Sequence, residues 1–369
     1  MSEREFLLDA TSSGLRPIGE KVLAGERLSA AEGLALAQEA GLHWLGQLAN
    51  AVREQRHGDR AYFVNNRHLN YSNVCVAQCS FCAFSRTPDA PDAYVLGPEE
   101  IERLGREAVA GGAVELHIVG GLHPDLPLSY YLDVLAGLRR AAPGVTLKAF
   151  SAVEVAHVAQ REGLAVGEVL RRMKEAGLGM LPGGGGEIFS ERVRHSLCPN
   201  KADAELYLSV HGAAHQFGIP SNATMLYGHI ETIEERLEHL VRLRELQDET
   251  GGLVALVPLA FQPEHTRLSH LPGPTGLDDL RTIALSRLML DNVPHIKAYW
   301  VTLGPKMAQV ALWYGADDLD GTIGEEKVAH EAGAESPVAL SLAELEALIT
   351  EARRVPVSRN AFYVPLGDL

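Results

Sequence analysis

From about residue 61 onward, the sequence alternates between short apolar segments and longer amphipathic segments. The apolar segments are predicted to be strands at 61–66, 114–120, 146–151, 178–183, 222–228, 253–261 and 295–303, with a weaker eighth at 317–323. Segments between them carry apolar residues at helical spacing, as at 98–112, 129–142 and 233–250. Strands that alternate with helices pair in parallel through right-handed crossovers, so the pattern predicts an α/β protein.

The number of strand–helix units predicts the architecture. Seven or eight units match a (β/α)8 TIM-type barrel, which typically takes about 250 residues, and an open doubly wound sheet is the alternative. Capping boxes at Ser29–Glu32 and Ser341–Glu344 begin helices on either side of this region. The predicted organisation is an N-terminal helical extension at 1–60, the barrel at 61–325, and a C-terminal helix and tail packing on the barrel at 326–369.

The composition argues against several classes of partner. The formal net charge is −15, and a phosphate backbone is bound by a basic face, so no nucleic-acid partner is expected. The sequence opens without a charged-then-apolar signal segment and has no apolar run of about 18 residues. We therefore expect a cytoplasmic protein without a membrane partner. In a reducing compartment, clustered cysteines indicate a metal site rather than disulfides.

Three of the four cysteines, Cys75, Cys79 and Cys82, lie within eight positions. A structural zinc site closes with four ligands, and no second Cys or His pair at zinc-site spacing is present, although His68 could be a fourth ligand if it reached round the loop. The spacing also differs from that of four-cysteine ferredoxins. Three thiolates in one loop can hold three irons of a 4Fe–4S cluster and leave the fourth iron open. A zinc loop or buried structural cysteines are the alternatives, and Cys198 is interpreted as a packed small apolar residue.

The loop "NVCVAQCSFCAFSR", with Phe81 before the last cysteine, resembles the signature of the radical S-adenosylmethionine (SAM) superfamily. The resemblance implies a 4Fe–4S cluster on Cys75, Cys79 and Cys82, with SAM chelating the open iron as a co-substrate. One electron from the cluster would then cleave SAM to methionine and a 5′-deoxyadenosyl radical. In a barrel, such a site lies at the carboxyl ends of the strands.

Residues that follow the predicted strands are candidates for binding this cofactor. Gly120 and Gly121 resemble the Gly-Gly-Glu element of the superfamily, although Leu122 replaces the acid and a simple turn is the alternative. Ser151 and Glu154 are expected near the methionine moiety of SAM, or else form an ordinary helix N-terminus. Glu187 in "GGGGE" is a candidate for binding a ribose hydroxyl, and the alternative is that the glycines form a flexible hinge. The other cofactor-binding candidates are Phe81, Tyr227 and Gly228.

Several longer segments resemble the menaquinone and deazaflavin branch of the superfamily, among them "NRHLNYSNVCVAQCSFCAFSR", "HIVGGLHPDLPLSYYLDVL", "LKAFSAVE", "NATMLYGHIET" and "GTIGEEKVAHEAGA". Within the branch, the aminofutalosine synthases are the most similar group. The dehypoxanthine futalosine cyclases, which tend to carry "QGG" where this chain has "VGG", are an alternative, as are FO synthase-type enzymes. An interpretation from another class is a metal-dependent sensor that binds a nucleotide without turnover.

The resemblance implies radical addition to 3-[(1-carboxyvinyl)oxy]benzoate, with rearrangement and decarboxylation, to give 6-amino-6-deoxyfutalosine for menaquinone biosynthesis. The implied electron donor is a protein such as flavodoxin or ferredoxin. Two carboxylates on the substrate call for cationic or donor groups in the pocket. The candidates for this catalytic role are Arg86, His123, His265 and Arg267, all of which follow predicted strands or the cysteine loop.

Anaerobic reconstitution with iron and sulfide tests the interpretation of the cysteines. We expect a coloured protein with about four irons, because three thiolates can hold three corners of a cubane cluster. Metal analysis and absorption spectroscopy give the measurement. A colourless protein with stoichiometric zinc would contradict the cluster assignment.

Overall fold

The computed structural model describes residues 7–8, 14–324 and 326–367. The strands are β1 Arg60–Val64, β2 Asn66–Asn70, β3 Glu115–Val119, β4 Thr146–Ala149, β5 Ser221–Tyr227, β6 Leu253–Ala260, β7 His295–Ile296, β8 Asp318–Gly321 and β9 Val355–Ser358. The helices are α1 Arg16–Leu23, α2 Ala30–Glu39, α3 Leu42–His57, α4 Pro98–Ala110, α5 Leu128–Ala141, α6 Ala152–Glu162, α7 Val166–Ala176, α8 Glu191–Leu197, α9 Ala204–Gln216, α10 Ile233–Thr250, α11 Gly276–Met289, α12 Trp300–Leu303, α13 Pro305–Ala311, α14 Val328–Glu331 and α15 Leu342–Glu351.

The named strands form three three-stranded sheets, ordered β8-β1-β9, β2-β3-β4 and β5-β6-β7, and every pairing is parallel. Isolated parallel bridges connect sheet to sheet through Lys148–Met180, Leu181–Ser221 and Lys297–Asp318. The predicted α/β class with parallel strands is confirmed. Among the described residues, the strands do not form one continuous eight-stranded ladder. Of the predicted (β/α)8 barrel, only the α/β fold with parallel strands is therefore confirmed.

Two predicted strands are shorter than expected. The segment 178–183 forms only isolated bridges at Met180 and Leu181, because Pro182 has no N–H to donate and glycines flank the bridged pair. The segment 295–303 ends as a strand at Ile296 and turns into α12.

Two strands are not predicted by apolar patterning. The segment of β2, "NRHLN", is polar, yet it pairs with β3 in register from Asn66 opposite Glu115. The last strand, β9, lies within the predicted C-terminal helix and tail at 326–369, and it pairs with β1 from Val355 opposite Arg60. Next to β9, the Arg359 guanidinium binds the Asp318 carboxylate at 2.5 Å in the interior. The tail therefore completes the sheet that contains the first strand.

The N-terminal helices pack on the outside of the sheets, where α3 contacts α11 and α2 contacts α10. No helix in the described ranges is both long and apolar enough to cross a lipid bilayer. Residues 1–6 and 9–13 of the predicted N-terminal extension lie outside the described residues. Residue 325, the predicted end of the barrel, and residues 368–369 of the tail lie outside them as well. The domain boundaries stay a prediction.

The predicted capping boxes at both ends are confirmed. At α15, the Glu344 N–H donates to the Ser341 hydroxyl at 3.2 Å, and the Ser341 N–H donates to the Glu344 carboxylate at 2.8 Å. The same reciprocal pair forms between Ser29 and Glu32 at α2. Each box satisfies two N–H groups that have no partner inside the helix.

Substituting Ser341→Ala should loosen the first turn of α15, because one backbone N–H loses its acceptor. Loss of a cap costs about 1 kcal/mol, so amide hydrogen exchange in that turn should accelerate about fivefold. Ser341→Asp is the matched control, since aspartate also caps a helix N-terminus. Equal exchange rates in the alanine variant and the native chain would show that the cap contributes nothing.

Candidate active site

The cysteine loop, residues 73–86, follows β2 and is closed at its base by backbone hydrogen bonds. The Cys75 N–H donates to the Arg86 carbonyl at 3.0 Å, and the Arg86 N–H donates to the Asn73 carbonyl at 2.8 Å. The loop contains three free thiols, of which Cys79 is buried and Cys75 and Cys82 are partly exposed. All three face one cavity, so the loop presents its thiols to a shared space.

This cavity has a volume of about 320 Å³. It lies at the carboxyl ends of the strands, where parallel α/β folds place their ligands. The structure brings nine of the predicted site residues together on its lining: Cys75, Cys79, Phe81, Cys82, Gly120, Gly121, Ser151, Glu154 and Glu187.

The two glycines after β3 leave room for the cysteine loop. A Cβ added at Gly121 would lie 2.1 Å from the Val74 carbonyl oxygen and 2.9 Å from the Cys75 Cβ. One added at Gly120 would lie 2.7 Å from the Tyr71 ring. Neither glycine has a positive φ, so space rather than backbone conformation requires glycine here. The glycine pair is therefore a close-packing element and not only a turn.

Glu154 connects the ends of three neighbouring strands. Its Oε2 accepts hydrogen bonds from the Ser151 N–H at 2.7 Å and the Ser151 hydroxyl at 2.5 Å. Its Oε1 accepts from the Tyr71 hydroxyl at 2.8 Å and the Gly120 N–H at 3.1 Å. Burial raises the pKa of the Glu154 carboxyl, although these bonds favour the ionised form. The expected helix N-terminus is present, because Ser151 and Glu154 form the capping box of α6.

Glu187 is held by a cation that the sequence analysis does not single out. The Lys201 ammonium binds its carboxylate and lies 5.6 Å from the centre of the Phe81 ring. Burial disfavours ionisation of Glu187, but the attraction of Lys201 outweighs it and lowers the pKa of the carboxyl. Lys201 also lines the cavity, so an ion pair stands beside the cysteine loop.

The glycines before Glu187 press against β5. A Cβ at Gly183 would lie 2.6 Å from the Ala223 carbonyl carbon, and one at Gly186 would lie 2.6 Å from the Thr224 carbonyl oxygen. The segment thus needs glycines for close backbone approach, which supports a packed loop. Glu187 itself adopts a positive φ of 44°.

Cys198 lies beside the cysteine loop but not on the cavity lining. It is 1% exposed, and its thiol lies beside that of Cys79. The Ser80 N–H donates to the neighbouring Leu197 carbonyl at 2.8 Å. The prediction of a packed, buried cysteine is confirmed, and its contact with a predicted ligand is an addition.

The four residues predicted to bind substrate carboxylates lie off the cavity lining. Arg86 binds Asp92 at 2.6 Å and Glu331 at 3.0 Å, so carboxylates of the chain itself engage its guanidinium. The His265 Nδ1 contacts the Glu331 carbonyl at 2.9 Å. Arg267 donates through its backbone to Ser80 and through its side chain to the Gln78 carbonyl. These three residues buttress the cysteine loop and α14 from outside.

Three further predicted residues also have protein partners away from the cavity. The His123 Nδ1 accepts from the Asp125 N–H at 3.0 Å. The Tyr227 hydroxyl donates to Asp279 at 2.7 Å on the helix side of β5. The Gly228 N–H, in the following turn, donates to a nearby carboxylate at 2.6 Å. Their positions give no support for direct contact with a ligand in the cavity.

The end of the cavity opposite the cysteine loop, here called the cavity floor, is formed by His68, His117, Lys148 and Asn222. His117 precedes Gly120 by three residues, which is roughly 10 Å along a strand. From the sequence, only His68 is considered, as a possible fourth zinc ligand, and the other three residues are missed. A signal is present in the sequence, because His117 and Lys148 interrupt otherwise apolar predicted strands, and charged side chains inside strands are rarely buried without a role.

The arrangement of the thiols fits an iron–sulfur cluster better than a single zinc ion. Zinc binds sulfur at about 2.3 Å, which brings its ligands within about 4 Å of one another. Among the described residues, the only set of three potential ligands within 4.8 Å of one another is His57, His295 and Asp317. The three cysteine sulfurs are thus spread more widely, as expected for thiolates that bind different irons.

The histidine–aspartate set has a structural explanation. Asp317 binds the Arg287 guanidinium and accepts from the Ile296 N–H at 2.8 Å. The His295 Nδ1 contacts its other oxygen at 2.5 Å, and His57 contacts the Pro294 carbonyl at 3.1 Å. Because the carboxylate is already engaged, this cluster stabilises the packing of β7 and β8.

Comparisons with known proteins agree with the site. The chain matches the radical SAM superfamily over residues 69–243 and the family described as CofH/MqnC C-terminal region over residues 250–367. It is 48% identical over 353 residues to an aminodeoxyfutalosine synthase of Thermus thermophilus, covering 95% of both chains. It is 41% identical to a 5-amino-6-(D-ribitylamino)uracil–L-tyrosine 4-hydroxyphenyl transferase of Methanopyrus kandleri, covering 86% of this chain and 88% of that one.

A solved structure supports the fold. The crystal structure of methylornithine synthase is similar with a TM-score of 0.74 at 19% identity, covering 92% of this chain and 97% of that one. At this level of identity the similarity concerns the fold alone.

Substituting Gly121→Ala should displace the cysteine loop, because the new methyl group would overlap the Val74 carbonyl. We expect iron incorporation on reconstitution to fall at least about threefold, measured by metal analysis and absorption. Gly41→Ala is the control, since a Cβ added there would have no atom within 4 Å and the φ of Gly41 is −60°. Full iron loading of the Gly121→Ala protein would show that the loop tolerates the displacement.

Proposed function

We propose that this chain, which belongs to the radical SAM superfamily and carries the CofH/MqnC C-terminal region, is an aminofutalosine synthase. The observation that carries the proposal is the 48% identity to such a synthase over 95% of the chain. The cavity with three thiols at its mouth supplies the matching chemistry.

Cys75, Cys79 and Cys82 would hold the 4Fe–4S cluster. When bound, that cluster supplies one electron to the sulfonium of SAM, which releases methionine and the 5′-deoxyadenosyl radical. In this proposal Gly120 and Gly121, which line the cavity, offer backbone carbonyls to the methionine moiety, because their N–H groups are already bonded to Glu154 and Ser72. Ser151 and Glu154 position that strand end, and Glu187 remains the candidate for a ribose hydroxyl.

The second substrate is 3-[(1-carboxyvinyl)oxy]benzoate. The C5′ radical adds to the terminal carbon of its enol ether double bond, which forms the new C–C bond. The adduct would rearrange onto the aromatic ring, lose the carboxylate as carbon dioxide or bicarbonate and return one electron to the oxidised cluster, giving closed-shell 6-amino-6-deoxyfutalosine. The protein's part is to orient the two substrates and exclude water, and apolar walls formed by Leu226, Val257, Leu259 and Phe261 suit that task.

Two finer features belong to this proposal. The three sheets close into a (β/α)8 barrel around the cavity, which is supported by the bridges Lys148–Met180, Leu181–Ser221 and Lys297–Asp318. The electron comes from a small donor protein such as flavodoxin or ferredoxin, because the proposed reaction needs a one-electron reductant.

A second candidate is the 4-hydroxyphenyl transfer of the archaeal relatives. The 41% identity over 86% of the chain favours it enough to be tested. The name of those relatives gives L-tyrosine and 5-amino-6-(D-ribitylamino)uracil as reactants. A dehypoxanthine futalosine cyclase would instead abstract hydrogen from its substrate and leave the enolpyruvyl benzoate unchanged.

Product mass separates the candidates. The reconstituted enzyme is incubated anaerobically with SAM, dithionite and 3-[(1-carboxyvinyl)oxy]benzoate, and the products are analysed by mass spectrometry. We expect consumption of the benzoate and an adduct that retains the adenosyl group and lacks one carboxylate. The reason is that the radical adds to the double bond rather than abstracting hydrogen.

The matched control replaces the benzoate by L-tyrosine and 5-amino-6-(D-ribitylamino)uracil. A coupled product from this pair, with unchanged benzoate in the main reaction, would reject the synthase and support the transferase. Free 5′-deoxyadenosine alone in both reactions would reject both activities.

A further inference from the structure

The cavity floor contains polar groups that the proposed handling of the cluster and SAM leaves unused. In the paired strands β2, β3 and β4, His68 stands opposite His117, and His117 stands opposite Lys148. The three side chains therefore lie at one level and face the same cavity. The two imidazole rings stack with their centres 4.4 Å apart and their planes inclined by 17°.

The two imidazoles offer hydrogen-bonding groups without a net charge. Burial lowers the pKa of His68, and it lowers that of His117 well below its ordinary value. Each neutral ring carries one N–H donor and one acceptor nitrogen. Among the described residues, the side-chain contact of each imidazole is its stacking on the other. The partly exposed side of each ring faces the cavity.

Lys148 brings a cation to the same level. Its side chain is 2% exposed, and its ammonium pairs with Glu115, its one carboxylate partner among the described residues. The attraction of Lys148 and Lys297 overcomes burial and lowers the pKa of Glu115, whereas burial lowers the pKa of Lys148 despite the attraction of Glu115. An ammonium has three N–H donors, and one carboxylate leaves donors of Lys148 for a ligand.

Asn222 faces this group from β5. It is 4% exposed, and its Oδ1 is buried without a hydrogen-bond partner among the described residues. A buried amide oxygen without a donor is costly, and a half-turn of the amide presents its NH2 group to an acceptor such as a carboxylate oxygen instead. Its amide therefore marks the cavity floor as a place built for a polar group that enters from the cavity.

The charges of the lining determine which ligand fits. Lys148 and Lys201 supply the ammonium groups of the lining in the described ranges, where no arginine is found, and the lining carboxylates Glu154, Glu187, Asp320 and Glu326 are each bound by groups of the chain itself. Lys201 belongs to the mouth, where it pairs with Glu187. A substrate whose reacting end meets the radical near the cysteine loop must direct its other end at Lys148. Between the two ends the walls are apolar, which suits an aromatic ring.

We propose that His68, His117, Lys148 and Asn222 form a receptor for the ring carboxylate of an aromatic substrate, with the reactive group held toward the cysteine loop. For the identity of the substrate, the inference rests on the proposed synthase function. The receptor explains how a benzoate is oriented, and it replaces the assignment of that task to Arg86, His123, His265 and Arg267.

The test compares equilibrium binding of two ligands to the reconstituted protein with SAM but without reductant, so that no turnover occurs. The ligands are 3-[(1-carboxyvinyl)oxy]benzoate and its ring carboxamide. The native protein should prefer the carboxylate by about tenfold or more, which corresponds to roughly 1.4 kcal/mol. Calorimetry gives both dissociation constants.

Two variants remove receptor groups while limiting structural damage. His117→Phe keeps an aromatic ring to stack on His68. The double variant Lys148→Met with Glu115→Gln removes both charges of the buried pair, because removing one alone would leave an unpaired ion. Each should weaken carboxylate binding about tenfold and change carboxamide binding by less than about threefold. The control is Arg359→Met with Asp318→Asn, a buried pair off the cavity lining, which should leave both constants unchanged.

The outcomes separate the two levels of inference. If the native protein binds and converts the benzoate while the receptor variants bind it as tightly, the receptor is wrong and the synthase function stands. If the native protein neither binds nor converts the benzoate, the proposed function fails and the receptor fails with it. Selective loss of carboxylate binding in correctly folded variants supports the proposal.

Discussion

The arrangement of the site depends on one buried carboxylate that spans three strand ends. Glu154, at the start of α6, accepts hydrogen bonds from Tyr71 after β2, from Gly120 after β3 and from Ser151 after β4. These bonds are buried, and the low dielectric constant there makes them stronger than exposed ones. They hold the Gly120–Gly121 backbone at the distance from which the cysteine loop can pack on it. Cavity shape and thiol placement both follow from this contact.

The cavity is chemically divided along the strand direction. Its mouth combines soft thiols with the Lys201–Glu187 ion pair, and its floor combines imidazoles, an amide and the Lys148 ammonium. Apolar walls that include Leu226, Val257 and Leu259 lie between the two ends. Such a division suits a reaction in which two different molecules must meet head to head in a dry space, because each is held by its far end.

Local signals in the sequence predict much of this structure, and long-range packing accounts for what they miss. The helix at 233–250 is predicted to the residue, because Thr232 caps its start and Gly251 ends it. The cysteine motif and the glycines after β3 are likewise local. The pairing of Lys201 with Glu187 depends on how the chain folds, and so does the pairing of Arg86 with Glu331 rather than with a ligand. Local sequence does not predict such pairs, because contacts between distant segments determine which charges meet. Polar β2 escapes prediction because its partners, rather than its composition, make it a strand.

The pairing of β9 with β1 has a consequence for how the chain is made. The first strand leaves the ribosome almost three hundred residues before its neighbour in the same sheet, Val355–Ser358. Until residues 355–359 have been synthesised, the backbone of β1 has an unpaired edge, and Asp318 lacks its arginine. This sheet can thus be completed only after β9 has emerged, and the edge of β1 is open to association with other chains while the rest of the fold assembles.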